Sequence, residues 1–289
     1  MPFYIKQLFV VLSLLLLNAC VHVEETEDST VDGIKTPLAT DVPALTTGNW
    51  YQPGVLTTWQ WQLEGGLNSS YAVDVYDIDL FDTSTATIEQ LKTDGHKVIC
   101  YFSAGSYENW RDDAVDFSAA DYGRTLDGWE GERWLDIRSA NIHSIMLARL
   151  ELAVSKGCDG VEPDNMDGYS NSSGFSLTAD DQLAYNRYLA NQAHVLGLSI
   201  GLKNDLEQIP ELVEYFDFAV NEQCFEYDEC DALMPFTDTG KAVFNAEYMA
   251  SYVDDASARN SMCVEAMNLQ MSSLVLPLNL DDSFRLSCL

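Results

Sequence analysis

Two apolar segments of the sequence end in carboxylates, and these side chains offer the most specific chemistry in the chain. The first segment closes with the run Asp159-Gly160-Val161-Glu162-Pro163-Asp164-Asn165, and the second with Asn221-Glu222-Gln223. Two carboxyl groups across a pocket are the minimum equipment for cleaving a glycosidic bond, because one protonates the leaving oxygen while the other attacks the anomeric carbon or activates water. Asp164 and Glu222 are the candidate pair. Glu162 stays an alternative to Asp164, since alternation along a strand places both on one face.

Each carboxylate also has a structural interpretation, and other chemistries have less support. An Asp after a Pro at a strand end is a good helix N-cap, and Glu222 could simply pair with Lys203. No Gly-x-Ser-x-Gly motif is present, and the histidines lack metal-binding spacing. The carboxylates Asp77, Asp79 and Asp82 would suit sugar hydroxyls or amines as well as a hard cation. We therefore expect no metal site and no cofactor.

Eight short β-rich segments, several of them separated by helical segments, must position these residues. They are Trp59–Leu63, Val73–Leu80, Lys97–Ala104, Gly160–Asn165, Leu198–Asn204, Phe216–Glu222, Ala242–Tyr248 and Leu274–Leu278. Strands that alternate with helices pair in parallel, and eight of them are typical of a closed barrel with its functional groups at the carboxyl ends of the strands. The expected fold class is α/β, a single-domain (β/α)8 TIM barrel. A doubly wound open sheet is the alternative, but no Gly-x-Gly-x-x-Gly turn follows any strand.

Two of the intervening helices have clear sequence signals. Apolar residues recur at helical spacing over 142–154, and Gly157 is expected to end that helix. Thr178 and Asp181 occupy capping-box positions at the start of another helix. The stretch between Leu63 and Val73 is too short for a full helix.

Composition narrows the possible partners. The 289 residues include 46 acidic and 15 basic side chains, which gives a formal net charge of −31, and 47% are hydrophobic. This apolar share supports a large core and excludes disorder of the whole chain. Binding to nucleic acid is not expected, because it depends on Lys and Arg that neutralise phosphates. A field this negative concentrates cationic ligands such as amino sugars, although it also serves solubility.

The N-terminus has the layout of an export signal. Lys6 precedes the apolar run of residues 8–17, and Leu17-Asn18-Ala19-Cys20 resembles a bacterial lipobox. We expect residues 1–19 to be a signal peptide, Cys20 to be lipidated, and the protein to be exported and anchored to a bacterial membrane through that lipid only. An ordinary secretory signal is the alternative. Residues 20–47 are acidic and lack apolar periodicity, so they are interpreted as a flexible tether before a domain over 48–289.

Six cysteines besides Cys20 suggest disulfides in an oxidising compartment. Cys224 and Cys230 are expected to close a small loop. The pair Cys263 and Cys288 could fix the C-terminal tail. The sequence leaves this second pairing open, and Cys100 and Cys158 could equally be buried free thiols.

Several ordered motifs resemble those of glycoside hydrolase family 114, the endo-α-1,4-polygalactosaminidases. The resemblance covers roughly residues 59–248. The matching motifs are Trp59-Gln60-Trp61-Gln62-Leu63, Tyr76-Asp77-Ile78-Asp79 with Asp82, 98–105, Trp134-Leu135-Asp136-Ile137-Arg138, 159–165 with Asp167 and Tyr169, Gly201-Leu202-Lys203-Asn204-Asp205, and Asn221-Glu222-Gln223-Cys224. The resemblance implies a (β/α)8 barrel that cleaves α-1,4-linked galactosamine-containing polymers, with Asp164 as nucleophile and Glu222 as acid/base.

The function expected on this basis is endo-acting hydrolysis of a galactosamine-containing polysaccharide by a retaining, two-carboxylate mechanism. The candidates for holding the sugar are Trp61, Asp79, Tyr101, Lys203, Asp205 and Tyr248. The expected partner is a polysaccharide, possibly a cationic galactosaminoglycan, and the protein is expected to be a monomer. Two alternatives stay open at this stage. They are a surface lipoprotein that binds polysaccharide without cutting it, and an α-glycosidase that acts on another exopolysaccharide.

Overall fold

The computed structural model describes residues 38–289. The expected signal peptide, the lipidation site Cys20 and most of the expected tether lie outside the described residues. Within the described range, no helix is both long and apolar enough to cross a bilayer.

All eight segments expected as strands form strands, and they pair in parallel in the order in which they follow along the chain. The large sheet has the order β1-β2-β3-β7-β8-β9-β10-β11-β12, and only β12 is antiparallel to its neighbour. Its strands are β1 Trp59–Gln62, β2 Val75–Asp79, β3 Lys97–Ser103, β7 Gly160–Asp164, β8 Ser199–Lys203, β9 Phe218–Glu222, β10 Ala242–Glu247, β11 Ser272–Val275 and β12 Leu286–Ser287.

The two ends of this sheet are linked by the C-terminal segment, and the described residues show no ladder between β1 and β11. The indole of Trp59 donates to the carbonyl of Ser272 (2.8 Å), and the guanidinium of Arg285 donates to the carbonyl of Trp59 (2.7 Å). At the other end of β1, the amide of Leu63 donates to the carbonyl of Leu280 (3.1 Å). An α/β barrel-like fold is thus confirmed, whereas a fully closed (β/α)8 barrel stays a prediction.

A second, small sheet stands between β3 and the next helix, and the sequence analysis did not predict it. Its strands are β4 Ser106–Glu108, β5 Tyr122–Thr125 and β6 Glu132–Leu135, in the order β4-β6-β5. Both of its pairings are antiparallel. Ser106 fastens it to the large sheet, because its hydroxyl contacts that of Ser103 (2.6 Å) and donates to the carboxylate of Glu132 (2.6 Å).

The helices confirm the two detailed sequence signals. They are α1 Thr85–Thr93, α2 Ala140–Lys156, α3 Ala179–Val195, α4 Ile209–Leu212, α5 Cys224–Tyr227, α6 Met234–Asp238, α7 Ala250–Asp254 and α8 Ala256–Asn268. Helix α2 ends at Gly157, whose φ of 89° is left-handed and favours glycine. Helix α3 begins at Thr178 with a complete capping box to Asp181. As expected, β1 runs to β2 without a helix.

Alternation along the strands sorts side chains between two cores. Residues such as Val98, Cys100 and Phe102 face the helices and belong to the larger apolar cluster. The smaller cluster, which includes Ile99 and Phe218, fills the inside of the curled sheet. Because the side-chain period of a strand is two, Tyr101 follows Ile99 to the inside. The same rule brings Glu162, Asp164, Lys203 and Glu222 into the interior of the sheet.

Three disulfides tie the fold together, and they settle the pairings that the sequence left open. Cys224 pairs with Cys230, as expected. Cys100 pairs with Cys158, and Cys263 pairs with Cys288. Cys100 and Cys158 are therefore not free thiols.

Residues 40–45, which the sequence analysis assigned to the tether, lie against the domain. The amide of Leu45 donates to the side chain of Asn191 on α3 (2.9 Å), and the hydroxyl of Tyr215 donates to the carbonyl of Val42 (2.6 Å). Val42 and Leu45 thus contact the domain.

Candidate active site

A cleft of about 580 Å³ opens at the carboxyl ends of the strands of the large sheet. Its lining includes Trp61, Tyr101, Trp129, Trp134, Asp164, Lys203, Glu222 and Leu278. Strands β7, β8 and β9 each deliver their last residue to this cleft, and these residues are Asp164, Lys203 and Glu222. The structure therefore brings together the two carboxylates that are distant in the sequence.

Lys203 lies at the floor of the cleft and contacts three carboxylates. Its Nζ is 3.0 Å from Oδ1 of Asp164, 3.1 Å from Oε1 of Glu162 and 3.4 Å from Oε2 of Glu222. The ammonium also lies 4.8 Å from the ring centre of Trp61, within cation–π range. Burial lowers the pKa of Lys203, but the carboxylates outweigh burial and raise the pKa well above its ordinary value. The lysine is therefore a permanent cation that fixes the carboxylates around it.

Of the carboxylates that contact Lys203, Asp164 and Glu222 are the two that reach the open cleft. Their side chains are 20% and 27% exposed, respectively. Tyr101 donates its hydroxyl hydrogen to Oδ2 of Asp164 (2.9 Å), and Tyr248 donates to Oε1 of Glu222 (2.6 Å). Burial, and then the charge of the carboxylate that each one contacts, raise the pKa of both tyrosines well above its ordinary value. Both phenols thus stay protonated donors over the whole working pH range.

Glu162 lies beneath this layer and does not reach the cleft. It is fully buried, as is Asp77 on β2. The two carboxyl groups interact with each other, and Glu162 also forms an ion pair with Lys203. Burial raises the pKa of Glu162 to about 7 against the attraction of Lys203. Burial and then repulsion by Glu162 raise the pKa of Asp77 well above its ordinary value. Depth in the sheet therefore separates Asp164 from Glu162, which the alternation rule could not do.

Trp61, Tyr101, Lys203 and Tyr248 gather around the two carboxylates, whereas Asp79 does not. Both oxygens of Asp79 accept from the guanidinium of Arg111 (3.1 and 2.7 Å), and one also accepts from the amides of Phe81 and Asp82. This carboxylate lines a separate pocket with Thr83 and Ser84. The expectation that Asp79 holds the sugar is not supported, because its oxygens are occupied by the protein itself.

Asp205 lies in an adjoining pocket of about 340 Å³. That pocket shares Glu222 with the main cleft and also contains Asp167, Tyr169 and Glu207. The amide of Asn186 donates to Oδ2 of Asp205 (2.9 Å). Burial and the negative charge of Asp167 raise the pKa of Asp205 to about 8. Asp205 is thus next to the carboxylate pair and not within it.

The sequence analysis missed site residues that come from the small sheet and from a strand end. Trp129, Trp134 and Glu132 form one wall of the cleft. Burial raises the pKa of Glu132 to about 7, against the hydrogen bond from Ser106. Asn204, in the left-handed region at φ 50°, accepts the backbone N–H of Glu222 at its Oδ1 (3.1 Å). The short strands have no apolar alternation from which this wall could be predicted, although Trp134 begins the motif Trp134-Leu135-Asp136-Ile137-Arg138.

The donor set does not point to a metal ion. In residues 38–289, no cluster of three or more His, Cys, Asp or Glu side chains is arranged to hold one. Two carboxylates face one cleft, each accepts a hydrogen bond from a tyrosine, and both contact the same lysine. This arrangement is suited to acid/base and nucleophilic catalysis at a glycosidic bond.

Comparison with known families agrees with this geometry. The sequence model of glycoside-hydrolase family GH114 matches residues 40–289. This chain belongs to GH114. Both carboxylates and the whole wall of the cleft lie within the matched range, so the GH114 chain is a glycoside hydrolase.

Solved structures extend this comparison. The crystal structure of Aspergillus fumigatus Ega3 in complex with galactosamine is 44% identical to this GH114 chain, with a TM-score of 0.80. That match covers 85% of this chain and 100% of the Ega3 chain. The glycoside hydrolase domain of PelA from Pseudomonas aeruginosa shares the fold at 14% identity and a TM-score of 0.64, over 80% of this chain and 98% of that one. A search among curated protein sequences gave no significant match.

Proposed function

We propose that this GH114 enzyme is an endo-acting hydrolase of α-1,4-linked, galactosamine-containing polysaccharide. The support for the sugar is the likeness to Ega3, whose crystal structure holds galactosamine and whose entire chain is matched at 44% identity. The support for the reaction is the pair of carboxylates that faces the cleft.

In this proposal, Asp164 is the nucleophile and Glu222 is the acid/base. The observation that carries the assignment is depth. Asp164 and Glu222 are partly exposed at the cleft, whereas Glu162 is fully buried below Lys203 and cannot reach an anomeric carbon.

Glu222 in its protonated form donates a proton to the glycosidic oxygen as ionised Asp164 attacks the anomeric carbon. The bond to the leaving sugar breaks, and a covalent glycosyl-enzyme forms. Water then attacks that carbon as Glu222 takes its proton, which releases Asp164.

The spacing of the two carboxylates supports retention of configuration. One Lys203 nitrogen lies 3.0 Å from Asp164 and 3.4 Å from Glu222, so those two oxygens are at most about 6.4 Å apart. Retaining pairs are separated by about 5 to 5.5 Å, and inverting pairs by about 6.5 to 9.5 Å to admit a water. The shared lysine thus keeps these two oxygens closer than the separation of an inverting pair.

Charge supports a cationic polymer as the substrate. The chain has a formal net charge of −31, and Asp167, Asp205 and Glu207 line the pocket beside Glu222. A partly de-acetylated galactosamine polymer carries ammonium groups that this field would attract. A neutral exopolysaccharide would gain nothing from it.

We further propose that the protein is exported and attached to a bacterial membrane through a lipid on Cys20, and that the residues before the domain form a tether. We also propose that the domain is a monomeric (β/α)8 barrel, which the C-terminal segment closes. Three disulfides favour an oxidising compartment. Metabolic labelling with a radioactive fatty acid tests the anchor. The label is expected on the wild type and absent from Cys20→Ala, and equal labelling of both would contradict it.

The enzymatic proposal is tested by the anomeric configuration of the first product. Incubating the protein with de-acetylated α-1,4-galactosamine oligosaccharides in an NMR tube should give the α-anomer first, with the β-anomer appearing only through mutarotation. A β-anomer at first would contradict the double displacement. Cleavage of a neutral α-1,4-glycan with no effect of salt would replace the proposed substrate by another exopolysaccharide.

A further inference from the structure

Two tryptophans of the small sheet are unusually exposed. Trp110 and Trp129 each leave 52% of their surface in water, whereas Trp59, Trp61 and Trp134 are buried. An exposed indole forgoes the burial of a large apolar surface, so two of them on neighbouring turns of one sheet indicate a binding surface.

The backbone of the small sheet holds both indoles at the same end. The β4–β6 ladder pairs Glu108 with Glu132, and the amide of Asn109 continues it by donating to the carbonyl of Gly131 (3.2 Å). Trp110 and Trp129 therefore lie near the end of the ladder, Trp110 after strand β4 and Trp129 before strand β6. A Cβ at position 131 would lie 2.9 Å from the ring of Trp110, and the φ of Gly131 is 103°. Glycine at this position thus lets the Trp110 indole lie against the turn.

One of these two indoles belongs to the active-site cleft. Trp129 lines the cleft together with Trp134 and Asp164, whereas Trp110 is not part of the lining and lies beside Gly131 of the same turn. The amide of Trp129 donates to the carbonyl of Leu126 (3.3 Å), which fixes the turn at the rim. The exposed indole of Trp129 thus belongs to the cleft, and the exposed indole of Trp110 lies next to the turn that carries it.

We propose that Trp129 and Trp110 form an aromatic platform that binds sugar residues of the polysaccharide outside the cleft, beyond those that contact Asp164 and Glu222. The apolar face of a pyranose ring packs on an indole, and an ammonium group of an amino sugar adds a cation–π attraction. The occupant is the substrate chain itself, because Trp129 belongs to the cleft and to the platform at once. This inference rests on the proposed function in taking the substrate to be a galactosamine polymer.

The platform predicts that the enzyme distinguishes long chains from short ones. In this proposal, the cleft alone holds a tetrasaccharide, whereas a polymer also extends to Trp110. We expect Trp110→Ala to lower the ratio of kcat/KM for de-acetylated polymer to kcat/KM for tetrasaccharide by about fivefold to tenfold, mainly through KM for the polymer. Trp110→Phe keeps a ring and should recover part of the ratio. The matched control is Val264→Ala, an exposed apolar residue on α8 outside the cleft.

The experiment uses the full chain and records the thermal midpoint of each variant, so that loss of folding is recognised. An unchanged ratio in both Trp110→Ala and Trp129→Ala, with folding intact, would overturn the platform. If the wild type cleaves neither substrate, the proposed function fails instead. The platform is then judged by retention of wild type and the double variant on the insoluble polymer, where equal retention overturns it and loss of retention in the variant supports it.

Discussion

Lys203 contacts Asp164 from below, with its Nζ 3.0 Å from Oδ1, and the lysine side chain is only 3% exposed. The same ammonium contacts Glu162 and Glu222. One buried cation thus determines the position of the carboxylate that faces the substrate and neutralises the one beneath it.

Replacing this cation should destabilise the fold as well as stop the reaction. In Lys203→Met, the buried carboxylates lose the only close counter-charge that residues 38–289 provide, and breaking such a group typically costs about 3–5 kcal/mol. We expect a loss of this size in the free energy of unfolding from urea titration at pH 8, and a smaller loss at pH 5, where protonation relieves Glu162. The control is Lys92→Met, because Lys92 is 38% exposed in its ion pair with Asp159 and should cost less than about 1 kcal/mol. Equal losses in the two variants would contradict the role of Lys203.

Tyr248 positions Glu222 and should affect turnover more than binding. Its hydroxyl donates to Oε1 of Glu222 over 2.6 Å, and a hydrogen bond to a charged group contributes about 1.5–3 kcal/mol. Tyr248→Phe is therefore expected to lower kcat by about 10- to 100-fold with little change in KM. Tyr252→Phe, in helix α7, is the control. A rise in KM at constant kcat would instead make Tyr248 a substrate-binding residue.

The sequence supplied the strands and the inward-facing set, but not their depth. Period-two alternation placed Glu162 and Asp164 on one face, and parallel strands brought Glu222 and Lys203 to the same end. Which carboxylate reaches the cleft depends on the stagger of the strands, which no local pattern encodes. The position of Asp79 away from the carboxylate pair was not foreseeable, because its partner, Arg111, is 32 residues away in the sequence. The wall with Trp129 arises from short strands whose pairing depends on tertiary contacts.

The buried carboxyl of Asp77 makes the stability of the protein depend on pH. Its pKa is raised well above the ordinary value by burial and by Glu162, so the folded state keeps a proton that the unfolded state releases above about pH 4. The stability from this group is full below that pH and is lost as the pH rises toward the folded pKa.

Asp77→Asn removes this dependence while it keeps the shape of the side chain. The variant is expected to gain about 1–3 kcal/mol over the wild type in the free energy of unfolding at pH 8, and less at pH 4. Asp82→Asn serves as the control, since that side chain is 79% exposed. A stability difference that does not change between the two pH values would contradict a protonated, buried Asp77.

The three disulfides should differ in their contribution to stability according to the loops that they close. Cys100–Cys158 spans 58 residues and Cys224–Cys230 spans 6. Chain entropy predicts a loss of about 4 kcal/mol when the first is replaced by a pair of alanines, and about 2 kcal/mol for the second. Urea titration of the two double variants measures both losses. A larger loss for Cys224–Cys230 would show that this bridge acts on the folded loop after Glu222 and not mainly on the unfolded chain.

The central claim is that Asp164 performs the cleavage of a galactosamine polymer. The measurement is the release of new reducing ends from de-acetylated and fully acetylated α-1,4-linked galactosamine polymer by the wild type and by Asp164→Asn. We expect oligosaccharides from the de-acetylated polymer with the wild type, no detectable release with Asp164→Asn, and a thermal midpoint that is nearly the same for both. Equal release by the variant, or tight binding of the polymer by the wild type without any release, would contradict it.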